Sequence, residues 1–139
     1  MTRAREIMTA DPACVRASET VRDAAQIMAE RGVGAVPVCG EDNRLKGMIT
    51  DRDIVVKVLA AGHDPRAVTA GELSQGEVVT IGADDDANEI MKTMAEHKVR
   101  RLPVIDGQRL VGMISQADVA RALPHTQVGD LVEALSVDD

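Results

Sequence analysis

The sequence predicts a mixed α/β (α+β) fold: two pseudo-symmetric β-α-β-β-α units packed sheet to sheet. Three observations carry the prediction. First, the chain repeats itself: Met28-Ala29-Glu30 returns as Met94-Ala95-Glu96, and Val33 to Pro37-Val38 returns as Val99 to Pro103-Val104, 66 residues later. Second, apolar periodicity alternates between strand and helix in the same order in both copies. Third, each copy closes on one polar motif, Gly47-Met48-Ile49-Thr50-Asp51-Arg52-Asp53 and Gly112-Met113-Ile114-Ser115-Gln116-Ala117-Asp118. The offset falls to 65 at these motifs, so the second copy has one residue fewer in the preceding turn, while Glu6 and Glu72 keep the offset of 66. Two copies in 139 residues favour a closed pair over an open solenoid. One unit alone could not bury both its sheet and its helices, which accounts for the pairing.

The elements follow in order. Cys14-Val15 and Val78 to Ile81 are short β-prone runs. Ser18 is expected to cap a helix whose Val21, Ala24, Ala25 and Met28 form one face, with Gly32 as its stop. In the second copy Asp86 caps, Glu89 stands at the capping-box position, and Ala87, Ile90, Met91 and Met94 repeat the stripe. Ala35 to Val38 and Leu102 to Ile105 are strands containing a proline, which suggests an edge or the first residues of a strand. Polar turns at Glu41-Asp42-Asn43 and Asp106-Gly107-Gln108 lead into Leu45 to Thr50 and Leu110 to Ser115, completing two hairpins. A second helix runs from about Asp53 to Ala61 before Gly62, and its counterpart from about Asp118 to Leu123 before Pro124. The expected organisation is residues 1–62 for the first unit, 63–75 for a linker with a short helix near Ala67 to Leu73, and 76–125 for the second unit. Residues 126–139 hold a last helix over Val128 to Leu135 and a tail, Ser136 to Asp139, that frays.

Composition excludes several classes of function. The chain is 45% hydrophobic yet has no Phe, Tyr or Trp, so its core is built from Val, Ile, Leu, Met and Ala. Stacking platforms for single-stranded nucleic acid are therefore absent, and a net charge of −7 opposes binding to a phosphate backbone. No apolar run reaches the length of a membrane span, and the first ten residues lack the apolar core of a signal peptide, so a cytoplasmic protein is expected, with no nucleic acid or membrane partner. Cys14 and Cys39 are the only cysteines and stand in no metal-ligand spacing. They are either two half-buried thiols or a disulfide within the first copy.

The motif residues Thr50, Asp53, Ser115 and Asp118 sit where a strand passes into a helix. Each hydroxyl can cap its helix, with the aspartate completing a capping box. The same geometry can serve a ligand, because a carboxylate there accepts hydrogen bonds from the vicinal hydroxyls of a ribose and the helix start favours polar or anionic groups. The copies differ most where Gly34-Ala35 is replaced by Arg100-Arg101. These guanidinium groups suit phosphate, or else form a solvated basic surface or ion pairs with the acidic excess. Catalysis is not expected: His63, His97 and His125 are scattered, with no apparent Cys or Ser partner. Asp84-Asp85-Asp86 reads more simply as a solvated helix start than as a cation site, and no metal site is assigned.

The paired motifs, the strands Val36-Pro37-Val38 and Leu102-Pro103-Val104, and the helices before them resemble the CBS domain family. Two tandem copies are similar to a CBS pair, or Bateman module, over residues 1–125. The resemblance is nearest to small free-standing members with no attached enzyme, which are usually dimeric. It implies two CBS units binding a regulatory adenosyl ligand (AMP, ADP, ATP or S-adenosylmethionine) in clefts between them, as an energy or stress sensor. By motif, Asp53 and Asp118 would hold ribose hydroxyls, Thr50 and Ser115 would contact ribose or phosphate, and Arg100 and Arg101 would meet phosphate. Val15, Val36, Ile81 and Leu102 would face adenine. Gly34-Ala35 departs from the pattern, so phosphate is not expected in the first site. The alternative is a ligand-free stress-response interaction protein stabilised by a Cys14–Cys39 disulfide.

Overall fold

The computed structural model describes residues 2–74, 78–123 and 125–136, the side chains of 125–128 excepted. The chain forms a mixed α+β structure with two sheets, and divides into two compact units whose boundaries cross those of the repeats. One comprises Ala13–Val78; the other comprises Met1–Pro12 together with Val79–Asp139. The first twelve residues, expected in the first unit, therefore belong with the second repeat, and the expected linker belongs with the first.

The unit of the first repeat begins with β2 (Val15–Arg16), followed by α2 (Val21–Arg31), β3 (Ala35–Cys39) and β4 (Leu45–Thr50). Next come α3 (Asp51–Asp53), a π-helical turn over Ile54–Leu59 and α4 (Ala70–Leu73). Its sheet runs β2-β3-β4, with β2 parallel to β3 and β3 antiparallel to β4. The other unit begins with α1 (Ala4–Ile7) and β1 (Thr9–Ala10). It continues with β5 (Ile81–Gly82), α5 (Ala87–His97), β6 (Arg101–Asp106), β7 (Arg109–Ser115), α6 (Gln116–Ala122) and α7 (His125–Ser136), in a sheet ordered β1-β7-β6-β5. The positions equivalent to β1 in the first unit lie outside the described residues, as does the expected fraying tail beyond Ser136.

Several expectations are corrected. Thr20, not Ser18, caps α2: its hydroxyl accepts from Asp23 N at 3.2 Å while Asp23 accepts from Thr20 N at 3.0 Å. A carboxylate three residues on makes Thr20 the better cap, because both free backbone N–H groups are then satisfied. The proline strands β3 and β6 are interior, not edge, strands. Pro37 and Pro103 are tolerated because β2 and β5 pair only from Val38 and Val104 onwards. The run Val78 to Ile81 narrows to a strand over Ile81–Gly82, and the helix expected over Asp53 to Ala61 becomes π-helical, with Ala60 N donating to Val55 O and His63 N to Val58 O.

Each unit is closed by the segment that precedes the other repeat. Ala70 N donates to Glu19 O (2.7 Å), Gly71 N to Ala17 O (2.9 Å) and Val21 N to Val68 O (2.9 Å). Sixty-six residues away, Ala4 N donates to Asp85 O (2.9 Å), Arg5 N to Ala83 O (2.9 Å) and Ala87 N to Thr2 O (3.0 Å). Ala4 and Ala70 are fully buried. Glu6 and Glu72 take the same role, accepting from the backbone N–H of Arg3 and Thr69. The two cores are aliphatic. Val21, Ala24, Met28, Val38, Ile49 and Val58 fill one; Ile90, Met94, Val104, Ile114, Val119 and Leu131 fill the other.

The motif glycines explain their place here. A Cβ on Gly47 would stand 2.6 Å from Ser74 O, and one on Gly112 would stand 2.3 Å from Met8 Sδ and 3.0 Å from Thr9 O. Both glycines let the exchanged segment lie directly on the strand that leads to the hydroxyl. We expect Gly47→Ala to destabilise the protein by about 1–3 kcal/mol, because rigid backbone meets the added methyl. Gly112→Ala should cost less, since the Met8 side chain can give way. Gly129→Ala, in α7 with open space around it, should stabilise by about 0.5–1 kcal/mol. Urea denaturation followed by circular dichroism checks the order.

Candidate functional site

Both motifs fold into the same strand-to-helix junction. At the first, Thr50 caps α3: its hydroxyl accepts from Asp53 N at 3.0 Å, and Asp53 Oδ2 accepts from Thr50 N at 3.0 Å. At the second, Ser115 caps α6: its hydroxyl accepts from Asp118 N at 3.2 Å, and Asp118 Oδ2 accepts from Ser115 N at 2.8 Å. The capping role is thus real. It is also not distinctive, since Thr20 with Asp23 and Thr69 with Glu72 form the same box without the motif.

What sets the two junctions apart is the strand beside them. Ala35 is the register partner of Thr50, and Arg101 is the register partner of Ser115. One residue earlier, Gly34 O accepts from Asp51 N and Arg100 O accepts from Gln116 N, each at 2.9 Å. The fold brings Arg100 and Arg101, both exposed, to the Ser115–Asp118 junction. At the first junction the corresponding place is lined by Asp51, whose Oδ2 would stand 3.1 Å from a Cβ on Gly34. The second junction is basic, and the first has Asp51 where the second has arginine.

Two partners were missed by the sequence reading. Lys57 Nζ lies 3.4 Å from Asp53 Oδ1, and Arg121 Nη2 binds Asp118 Oδ1 directly. Their spacings, four and three residues along a helix, are the signal that could have found them. Partial burial pushes the Asp53 carboxyl up, but the Thr50 backbone N–H, the Thr50 hydroxyl and Lys57 together hold it below the ordinary value.

Val15, Val36, Ile81 and Leu102 are placed differently from the expected adenine-facing walls. All four are core side chains of their own units, none more than 2% exposed. Cys14 and Cys39 are free thiols, the first half-buried and the second buried. They lie side by side: burial first, and then the neighbouring Cys14, push the Cys39 thiol up to about 12. The acids of Asp84-Asp85-Asp86 are each engaged. Asp84 pairs with Arg5 at 2.8 Å, Asp85 accepts from Gly82 N at 2.8 Å, and Asp86 caps α5 by accepting from Glu89 N at 2.9 Å. Among the described residues no group of three or more His, Cys, Asp or Glu side chains could hold a metal ion.

The family profile of the CBS domain matches residues 4–60 and 70–125, one match on each copy of the junction. The chain belongs to the CBS domain family. Among CBS proteins, Hypoxic response protein 1 of Mycobacterium tuberculosis is 50% identical over 97% of this chain and 94% of its own. A crystal structure of Hypoxic Response Protein I with two coordinated zinc ions superposes with a TM-score of 0.83 at 52% identity, covering 88% of this chain and all of that one. The CBS domain pair of protein MJ0100, in complex with 5′-methylthioadenosine and S-adenosyl-L-methionine, has a TM-score of 0.76 at 25% identity, covering 87% of this chain and 94% of that one. CBSX2 in complex with AMP shares the fold, with a TM-score of 0.76 at 23% identity over 88% of this chain and 96% of that one. Among the described residues no helix is long and apolar enough to cross a membrane.

The depressed Asp53 carboxyl gives a pH dependence of definite sign. Its folded value lies below the reference 3.8, so its contribution is complete above the unfolded value and is lost as pH falls through the folded one. We expect Asp53→Asn to be less stable than the parent at neutral pH and the two to converge between about pH 5 and pH 2. Thr50→Ala should cost about 1 kcal/mol at neutral pH and somewhat less below that window, because the Thr50 hydroxyl helps hold the Asp53 carboxyl down. Denaturation midpoints across the pH series check both.

Proposed function

We propose that this CBS pair is a non-catalytic regulatory module that binds an adenosyl ligand through its two hydroxyl–carboxylate junctions. The observation that carries the reading is the placement of Arg101 as register partner of Ser115, with Asp118 three residues on. A phosphate-binding cation, a hydroxyl and a diol-binding carboxylate thereby share one strand-to-helix junction. The first junction offers the same hydroxyl and carboxylate with Asp51 in place of the arginines, which suits a neutral nucleoside moiety. AMP, ADP, ATP and S-adenosylmethionine are the ligands to consider, and the adenosyl compounds bound by CBSX2 and the MJ0100 pair support the class.

The protein acts in the cytoplasm as a homodimer and as an energy or stress sensor. Its likeness to Hypoxic response protein 1 supports the stress setting. Val55, Val56 and Leu59, respectively 55%, 47% and 54% exposed on the π-helical turn, offer an apolar stripe to a second copy. Ligand would act by favouring one of two arrangements for which it has different affinity.

A second reading rests on the adjacency of Cys14 and Cys39. There the junctions only cap helices, and oxidation of the thiol pair stabilises the first repeat of a ligand-free interaction protein.

Isothermal titration of AMP, ATP and S-adenosylmethionine separates the readings. We expect saturable binding, weakened at least roughly tenfold for AMP and ATP by Arg100→Ala/Arg101→Ala, since charge-assisted hydrogen bonds are lost. No heat and no thermal shift with any of the three would favour the second reading.

A further inference from the structure

The two carboxylates are held unequally. The Asp118 side chain is 9% exposed, its Oδ2 taken by Ser115 N and its Oδ1 by the Arg121 guanidinium. The Asp53 side chain is 28% exposed, and beyond its capping bond its partner among the described residues is Lys57, at 3.4 Å. We propose that Arg121 latches Asp118, so that a neutral vicinal diol is taken at Asp53 alone, and Asp118 opens only to a ligand whose own anionic group draws Arg121 away. This rests on the reading of Asp53 and Asp118 as diol-binding carboxylates and deepens it.

The latch is written into one helix and missing from the other. Arg121 stands three residues after Asp118, so its planar donor fork reaches the carboxylate across one helical turn. The equivalent place in the first repeat is Val56, which can donate nothing. Lys57, one residue later, is 61% exposed, and its ammonium is a compact, strongly hydrated charge without a fork. Asp53 is therefore the more accessible acceptor for two hydroxyl groups.

The latch is also reversible. The Arg121 side chain is 71% exposed, so swinging away leaves its guanidinium in water rather than buried. A neutral nucleoside gives it no reason to leave. A nucleotide phosphate does, because it can accept from both arms of the guanidinium where Asp118 accepts through Oδ1 alone, and it releases Asp118 to the ribose in the same step. Arg100 and Arg101 at the same junction add to the attraction. The module would thus discriminate phosphorylated from unphosphorylated adenosyl ligands by which junction fills, taking adenosine at Asp53 and AMP at Asp118.

Titration of adenosine and AMP into the parent, Asp53→Asn, Asp118→Asn and Arg121→Ala tests this. Adenosine binding to the parent should fall roughly tenfold or more in Asp53→Asn and change less than about twofold in Asp118→Asn. Arg121→Ala should admit a second equivalent of adenosine. The latch is overturned if adenosine binding depends on Asp118 in the parent, or if Arg121→Ala still takes one equivalent. A ligand-free arm runs alongside: double-mutant cycles on urea unfolding for Arg121→Ala with Asp118→Asn and for Lys57→Ala with Asp53→Asn. The first pair should be coupled by roughly tenfold in the unfolding constant and the second by less than about twofold. Equal coupling overturns the latch whatever the titrations show. If no variant binds nucleoside or nucleotide, the diol reading fails, and the cycles alone decide whether Arg121 holds Asp118.

Discussion

The contact on which each unit turns is a short exchanged segment that crosses to the other repeat and donates backbone hydrogen bonds there. Ala70 and Ala4 sit at its centre in the two units, fully buried, with N–H groups bonded to the carbonyls of Glu19 and Asp85. Alanine suits the place because any larger side chain would need room that a packed core does not hold. The strand beneath has to be equally spare. Gly47 lies under Ser74 and Gly112 under Met8, so the opening residue of each polar motif is explained by packing before any ligand is considered. Three residues on, the same strands deliver Thr50 and Ser115 to the helix start. The hydroxyl is placed by a strand whose position depends on the exchanged segment.

From that frame the junction chemistry follows. A hydroxyl at the end of a strand and an aspartate three residues into the helix satisfy each other's backbone N–H groups, so both side chains are fixed before binding. Preorganisation of this kind lowers the ordering cost that a ligand would otherwise meet. The same box at Thr20 and Thr69 stabilises helices without the motif glycine, so a capping box does not by itself define the junction. The surroundings define it. Ala35, Gly34 and Asp51 make one junction neutral to acidic, whereas Arg100, Arg101 and Arg121 make the other basic, within a chain of net charge −7.

Much of this was legible in the sequence, for reasons that differ by residue. The repeat located both hairpins and both junctions, because strand and helix periods persist in each copy. Thr50, Asp53, Ser115, Asp118, Arg100 and Arg101 were legible because local spacing places them. Val15, Val36, Ile81 and Leu102 were read as adenine-facing walls because nothing in an apolar strand says which face is free. In β3 from Val36 onwards and in β6 from Leu102 to Val104 successive residues are all buried, so the alternation that reports a face is missing. The exchanged segments were hidden because their partners lie far along the chain, and the π-helical turn because Ile54 to Leu59 has no residue that breaks an ordinary helix. Thr20 and Ser18 are both hydroxyls, and the carboxylate of Asp23 three residues on is what favours Thr20.

Backbone amide chemical shifts during an AMP titration report whether ligand meets the protein at the two junctions. Saturable shifts are expected, centred on the amides of Thr50, Asp53, Arg101, Ser115 and Asp118, with the cores little changed. Shifts centred elsewhere while these amides stay fixed, or no shift at saturating AMP, would contradict binding at the junctions.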